Sequence, residues 1–124
     1  MEKEMQENND LSDVFDEAYF RDGTKSLYRD YRWLPATTAA ACQAMCLRLP
    51  IHISESIIDV GCARGFYVRA WRQILRYQAW GTDISSWAVA NCDPEVAGYL
   101  ALSEDGKSIV WPGPFSWAVA KDSL

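Results

Sequence analysis

Apolar positions along the chain follow two periods that alternate. Ile57 to Val60 form a compact β-branched run, interrupted only by Asp59, and predict a short buried strand. From Phe66 the spacing lengthens: Phe66, Ala70, Ile74 and Tyr77 lie three or four apart and predict a helix from Phe66 to Tyr77. Gly61 and Gly65, with small Ala63 between them, predict a tight turn joining the two. Ala79-Trp80-Gly81-Thr82-Asp83-Ile84-Ser85 reads as a second strand ending in an acid. Upstream, Pro35 suits a first helical turn, and Ala39 to Leu49 form a helix ending near Pro50. Downstream, Trp87, Ala88 and Val89 begin a short helix that stops before Pro94, and Tyr99 to Leu102 form a third strand. Asp105-Gly106 and Trp111-Pro112-Gly113-Pro114 are breaks, and Phe115 to Asp122 is a fourth strand. Strands alternating with helices predict an α/β fold: a parallel sheet built from right-handed crossovers, with the glycine strand central.

The first 18 residues stand apart as an acidic tail, polar to about Asp10, and a helix over Val14, Phe15 and Ala18 capped by Asp10 or Ser12. The chain has 124 residues, room for one domain and a short one for an α/β sheet. Its composition is 49% hydrophobic, with six Trp and six Tyr, which is globular rather than disordered. A net charge of −5 disfavours binding to nucleic-acid backbones as the main activity. No apolar run approaches the ~20 residues of a membrane span. Cys42, Cys46, Cys62 and Cys92 form no C-x-x-C pair, and His52 is the one histidine, so a zinc site is disfavoured. Cys42 and Cys46 fit a packed helix face, and the cysteine usage fits a reducing, cytoplasmic setting. His52 reads as surface or structural. Arg69, Arg72 and Arg76 read as a solvated helix flank, with an acidic partner as the lesser alternative.

The chemistry concentrates at the turn. A strand, a glycine turn and a helix in that order aim backbone N–H groups at an anionic or hydroxyl-rich ligand. A dinucleotide fingerprint, G-x-G-x-x-G, needs a third small residue at position 66, where this chain has Phe66; a P-loop would need Gly-Lys-Ser/Thr, which is absent. Asp83 lies 22 positions beyond Gly61 (83 − 61), where an acid accepts hydrogen bonds from both ribose hydroxyls. The plainer alternatives are a βα turn with no ligand and an Asp83 that caps the next helix, a role Ser85 or Ser86 can also fill.

The pattern Asp59-x-Gly61-Cys62-Ala63-x-Gly65 resembles the first motif of class I S-adenosylmethionine-dependent methyltransferases, with Ala63 where the middle glycine is more usual. The resemblance implies a Rossmann-like parallel sheet with flanking helices and S-adenosyl-L-methionine as cofactor. In it, Asp59, Gly61, Cys62, Ala63 and Gly65 surround the methionine part, Asp83 holds the ribose and Ile84 packs on the adenine. Cys62 is then a small spacer rather than a nucleophile. Glu104 or Asp105 falls loosely where an acid meets the adenine amino group. The segment from Tyr19 through Tyr28-Arg29-Asp30-Tyr31 to Trp33 resembles a partial lid over the cofactor, or its aromatics pad the sheet. Ser116 replaces an acid expected near the fourth strand, and Lys121 and Asp122 are weak candidates for the methyl-acceptor side.

The resemblance covers residues 19–124 and only the cofactor-binding half of the family's domain, about four strands of a sheet that has seven. It therefore implies an incomplete core whose fourth strand is an open edge, inviting a homodimer or a partner chain. Two functions follow. One is methyl transfer to a small-molecule or otherwise unknown acceptor; the other is a non-catalytic, truncated remnant or subunit acting through its edge. A dinucleotide oxidoreductase is third, disfavoured by Phe66.

Overall fold

The computed structural model describes residues 32–105 and 108–120. The acidic tail, the helix before Tyr19, the segment through Tyr31, Gly106, Lys121 and Asp122 lie outside the described residues. Four strands form one sheet: β1 (Ser56–Val60), β2 (Gln78–Asp83), β3 (Leu100–Leu102) and β4 (Trp117–Val119). Their order is β3-β2-β1-β4, and every pairing is parallel. The strand with the strongest β-branched run is therefore central, as its pattern predicts: Ile57, Ile58 and Asp59 are all buried. A strand covered on both faces reads as a continuous apolar run, which is why its signal is strong.

Helix α1 (Pro35–Arg48) opens on a proline, whose missing N–H and fixed φ suit that position. It buries Thr38, Cys42 and Cys46, one turn apart, so the two thiols do form a packed face, and no disulfide joins any of the four cysteines. After the glycine turn, α2 (Phe66–Arg69) runs directly into a π-helical segment, Ala70–Ile74. The expected α-helix to Tyr77 is thus shorter and wider. The amide of Leu75 donates to Ala70 O and that of Tyr77 to Trp71 O. The widened turn leaves Trp71 fully buried and turns Ile74 outward, 42% exposed, so Ile74 does not join the predicted apolar stripe. Arg76, at φ 65°, ends the segment.

Helix α3 (Ser86–Ala90) is followed by a 3-10 segment, Pro94–Tyr99, capped by Asp93. The core joins Ile57, Val68, Trp71, Ala79, Val96 and Leu100 with the α1 cysteines and Val119. Much of the aromatic content lies near β2: Trp80 makes edge contacts with Tyr99 and Phe115, and the indole N–H of Trp111 donates to Gly81 O. The Pro-rich break before β4 is therefore tied down. The expected fourth strand shrinks to three residues, flanked by a reciprocal pair in which the amides of Ser56 and Ser116 each donate to the other's hydroxyl. No helix among the described residues is long and apolar enough to cross a membrane.

Candidate functional site

The turn after β1 is built from three left-handed residues at alternate positions: Gly61 (φ 83°), Ala63 (φ 54°) and Gly65 (φ 89°). Glycine reaches this region freely, whereas Ala63 does so at a cost of roughly 1–2 kcal/mol. Something must hold Ala63 there. Its amide donates to Asp83 Oδ2 at 2.7 Å, across from the end of β2. The amides of Gly61 and Cys62 both donate to Thr82 O, at 2.8 and 2.9 Å, and Gly65 closes the loop onto Cys62 O. The turn and the end of β2 are thus one hydrogen-bonded unit.

Asp83 is 8% exposed. Its other oxygen, Oδ1, accepts from the amide of Ser85 at 2.7 Å. Two backbone donors, one per oxygen, satisfy a carboxylate that would otherwise be costly to bury and fix its plane beside the turn. The helix-capping role goes to Ser85, whose hydroxyl accepts from the amide of Ala88 at 3.1 Å. Asp83 is therefore not the cap of α3.

Of the predicted residues, Gly61, Ala63 and Ile84 are half-buried, Asp83 and Gly65 are buried, and Asp59 and Cys62 are almost fully enclosed. Asp59 pairs in register with Gly81 and Val119 inside the sheet. Cys62 Sγ packs against the backbone of Gly81, where an added Cβ would lie 2.8 Å from it. The thiol therefore acts as a packed spacer.

Gly65 differs from its expectation. A Cβ there would meet Leu100 Cδ1 at 2.5 Å and Val96 Cγ2 at 3.0 Å, so this glycine admits the chain's own side chains rather than a ligand. Its task is close packing of the turn on β3, the part a third glycine plays in nucleotide-binding turns. Glu104 and Asp105 are exposed, and Asp105 accepts from the amide and hydroxyl of Ser108, both at 2.7 Å.

The arginine flank also differs. Arg69 Nη1 pairs with Asp93 Oδ2 at 3.0 Å, its guanidinium 4.4 Å from the Trp33 ring centroid. Asp93 is only 5% exposed, and its Oδ1 accepts from Glu95 N. Arg72 donates to Ala79 O and lies 3.5 Å from the Tyr99 centroid. Arg69 and Arg72 are thus structural pegs, whereas Arg76 is exposed, as a solvated flank requires. Arg64, inside the turn, donates from Nε to Asn91 O, and Arg64 O accepts from Asp93 N. Residues that sequence reasoning passed over, Gly81, Asn91 and Asp93, therefore brace the turn. Their one readable signal is Asp93 before Pro94, a helix-start pairing. Trp33 packs on Phe66 with centroids 6.0 Å apart, against the first residue of α2. His52 is exposed, its Nδ1 2.7 Å from the Ser54 hydroxyl.

Among the described residues no group of three or more His, Cys, Asp or Glu side chains is arranged to hold a metal ion. Comparisons of the chain with protein families, with curated proteins and with solved structures returned no match.

Proposed function

We propose that the carboxyl ends of β1 and β2 bind the adenosyl part of S-adenosyl-L-methionine and that the protein is a methyltransferase of the class I, Rossmann-like kind. The observation carrying this reading is the Ala63 N–H to Asp83 Oδ2 contact, which sets a strand-end carboxylate beside a left-handed turn. The strand order adds support. β3-β2-β1 is the order of one half of a doubly wound sheet with β4 beginning the other, and ligands of such sheets bind outside the carboxyl ends where the order reverses, here between β1 and β4.

The residues present fit such a ligand. The Asp83 carboxylate closes β2 at the carboxyl end of the sheet, the place from which a strand-end acid accepts hydrogen bonds from ribose hydroxyls. Ile84, half-buried and next to Asp83, offers an apolar side chain for an adenine ring. Gly61 and Ala63 keep the turn low, so that a ligand can approach its backbone. When bound, the cofactor supplies an electrophilic methyl on sulfur; the chain's part is to position it and to shape the charge around it. The acceptor, small molecule or otherwise, docks on the same carboxyl-end face. A subunit that binds cofactor without transferring methyl is the second reading, favoured by a β4 of only three residues at the sheet's edge.

Calorimetric titration of the full chain with S-adenosylhomocysteine tests the proposal. Saturable micromolar binding, weakened by Ile84→Ala and abolished by Asp83→Asn at an unchanged fold, is the expected result. No binding, or NADH binding without response to S-adenosylhomocysteine, overturns it.

A further inference from the structure

A second, unrelated recess lies on the flank of the sheet. It is an open groove of about 440 Å³ lined by Arg72, Gln73, Arg76, Glu95, Val96 and Tyr99. It sits between the π-helical segment and the 3-10 segment, level with the start of β2. Ala79, which holds Arg72, precedes Asp83 by four residues along β2, about 13 Å at ~3.3 Å per residue.

The backbone here is unusual twice over. The π-helical widening at Ala70–Ile74 and the left-handed Arg76 are both uncommon, and π segments concentrate at functional sites. Arg69, the last residue of α2, pairs with Asp93, while Arg72, inside the widened turn, lies on Tyr99, with both Arg72 and Arg76 lining the recess. Arg72 is held rigidly: Nη1 donates to Ala79 O at 2.8 Å, and the guanidinium lies against Tyr99 and 5.3 Å from Trp80. A guanidinium has five N–H donors, so one backbone bond leaves it able to grip an anion. Arg76 is exposed and pairs with no carboxylate among the described residues.

Glu95 lines the same recess, and its Oε2 accepts from Gln73 Nε2 at 2.9 Å. That acid disfavours a second negative charge more than a first and can accept from a ligand's donor. We propose that this recess binds a small monocarboxylate carrying a hydroxyl or ammonium group, its carboxylate on Arg72 and Arg76 and its donor on Glu95. The planar fork of an arginine matches a carboxylate two bonds at a time, and Arg72 comes already oriented. The site stands independently of the cofactor reading.

The test is a titration of the full chain with sodium L-lactate at constant ionic strength, following the Arg72 and Arg76 side-chain N–H signals by NMR. Saturable shifts are expected, with affinity falling about tenfold in Arg76→Gln, since hydrogen bonds to charged groups dominate such a site. Arg76 is exposed, so that variant keeps the melting temperature. Shifts that stay linear and are matched by chloride overturn the proposal. Unaltered binding by Arg76→Gln overturns it too, and inorganic phosphate saturating the same signals more tightly than lactate overturns the monocarboxylate assignment.

Discussion

The carboxyl end of the sheet and its arginine flank are held by different kinds of contact. At the carboxyl end, a turn with small residues at its three left-handed positions is fastened by backbone amides to Thr82 O and the Asp83 carboxylate. On the flank, long side chains do the fastening: Arg69 to Asp93, Arg72 to Tyr99 and Ala79 O, Gln73 to Glu95. The spans along the chain are alike, 20 residues for Ala63–Asp83 and 24 for Arg69–Asp93. What differs is residue chemistry. Left-handed backbone admits few residue types, so the turn is rigidly specified; an arginine on a helix is equally at home in water or on an aromatic ring.

The sharpest way to break this contrast is Gly65→Ala. The new Cβ meets Leu100 and Val96 at a φ of 89°, so backbone strain of roughly 1–2 kcal/mol adds to overpacking of about 1–3 kcal/mol. A loss of about 2–5 kcal/mol in denaturant unfolding is expected. A near-neutral result would mean that the turn is not fixed by its packing on β3.

Arg69→Met tests the flank. It leaves the Asp93 carboxylate buried without its guanidinium, a change that costs several kcal/mol in a closed interior. The Arg69 side chain is 23% exposed, so solvent softens the loss to about 1–3 kcal/mol. If the flank were a solvated face, the variant would unfold at the wild-type denaturant concentration.

Asp83→Asn separates stability from binding at the carboxyl end. An amide offers one oxygen where the carboxylate offers two, so either the Ala63 or the Ser85 amide loses its acceptor, at about 1–2 kcal/mol. S-adenosylhomocysteine binding should disappear while the protein stays folded. Retained binding would detach the proposed cofactor from Asp83.

The same contrast explains what could be read from the letters. The central strand, the glycine turn and the acid closing β2 were legible because β-branched runs, small residues and a strand-end carboxylate each have few structural uses. The stop at Val119 was not, since Ala120 and Lys121 carry no breaker. Nor was the π segment: Phe66, Ala70 and Ile74 fit an α-helix, and no residue in that spacing signals the widening that accompanies the full burial of Trp71. The bond from Ala63 to Asp83 followed from neither residue alone, although their spacing placed both at one end of the sheet. The conformational freedom of Gly65 is legible in the sequence, but the Leu100 side chain that packs against it is placed only by β3.

The smallest expected effect belongs to a short-range contact, and it asks whether locality alone makes a contact matter. The His52 amide donates to Glu55 Oε1 at 2.7 Å across three residues, and this bond is the main cause holding the Glu55 carboxyl below the ordinary range. A lowered carboxyl value means that the folded state favours the ionised form. The contribution is therefore present above the ordinary glutamate range and is lost as pH falls through the lowered folded value. Because Glu55 faces water, the change in overall stability should be slight. The His52 amide signal in an acid titration should nonetheless move with a midpoint below that of a free glutamate, and Glu55→Gln should flatten it. A midpoint at the ordinary value would show that proximity in sequence does not fix this turn.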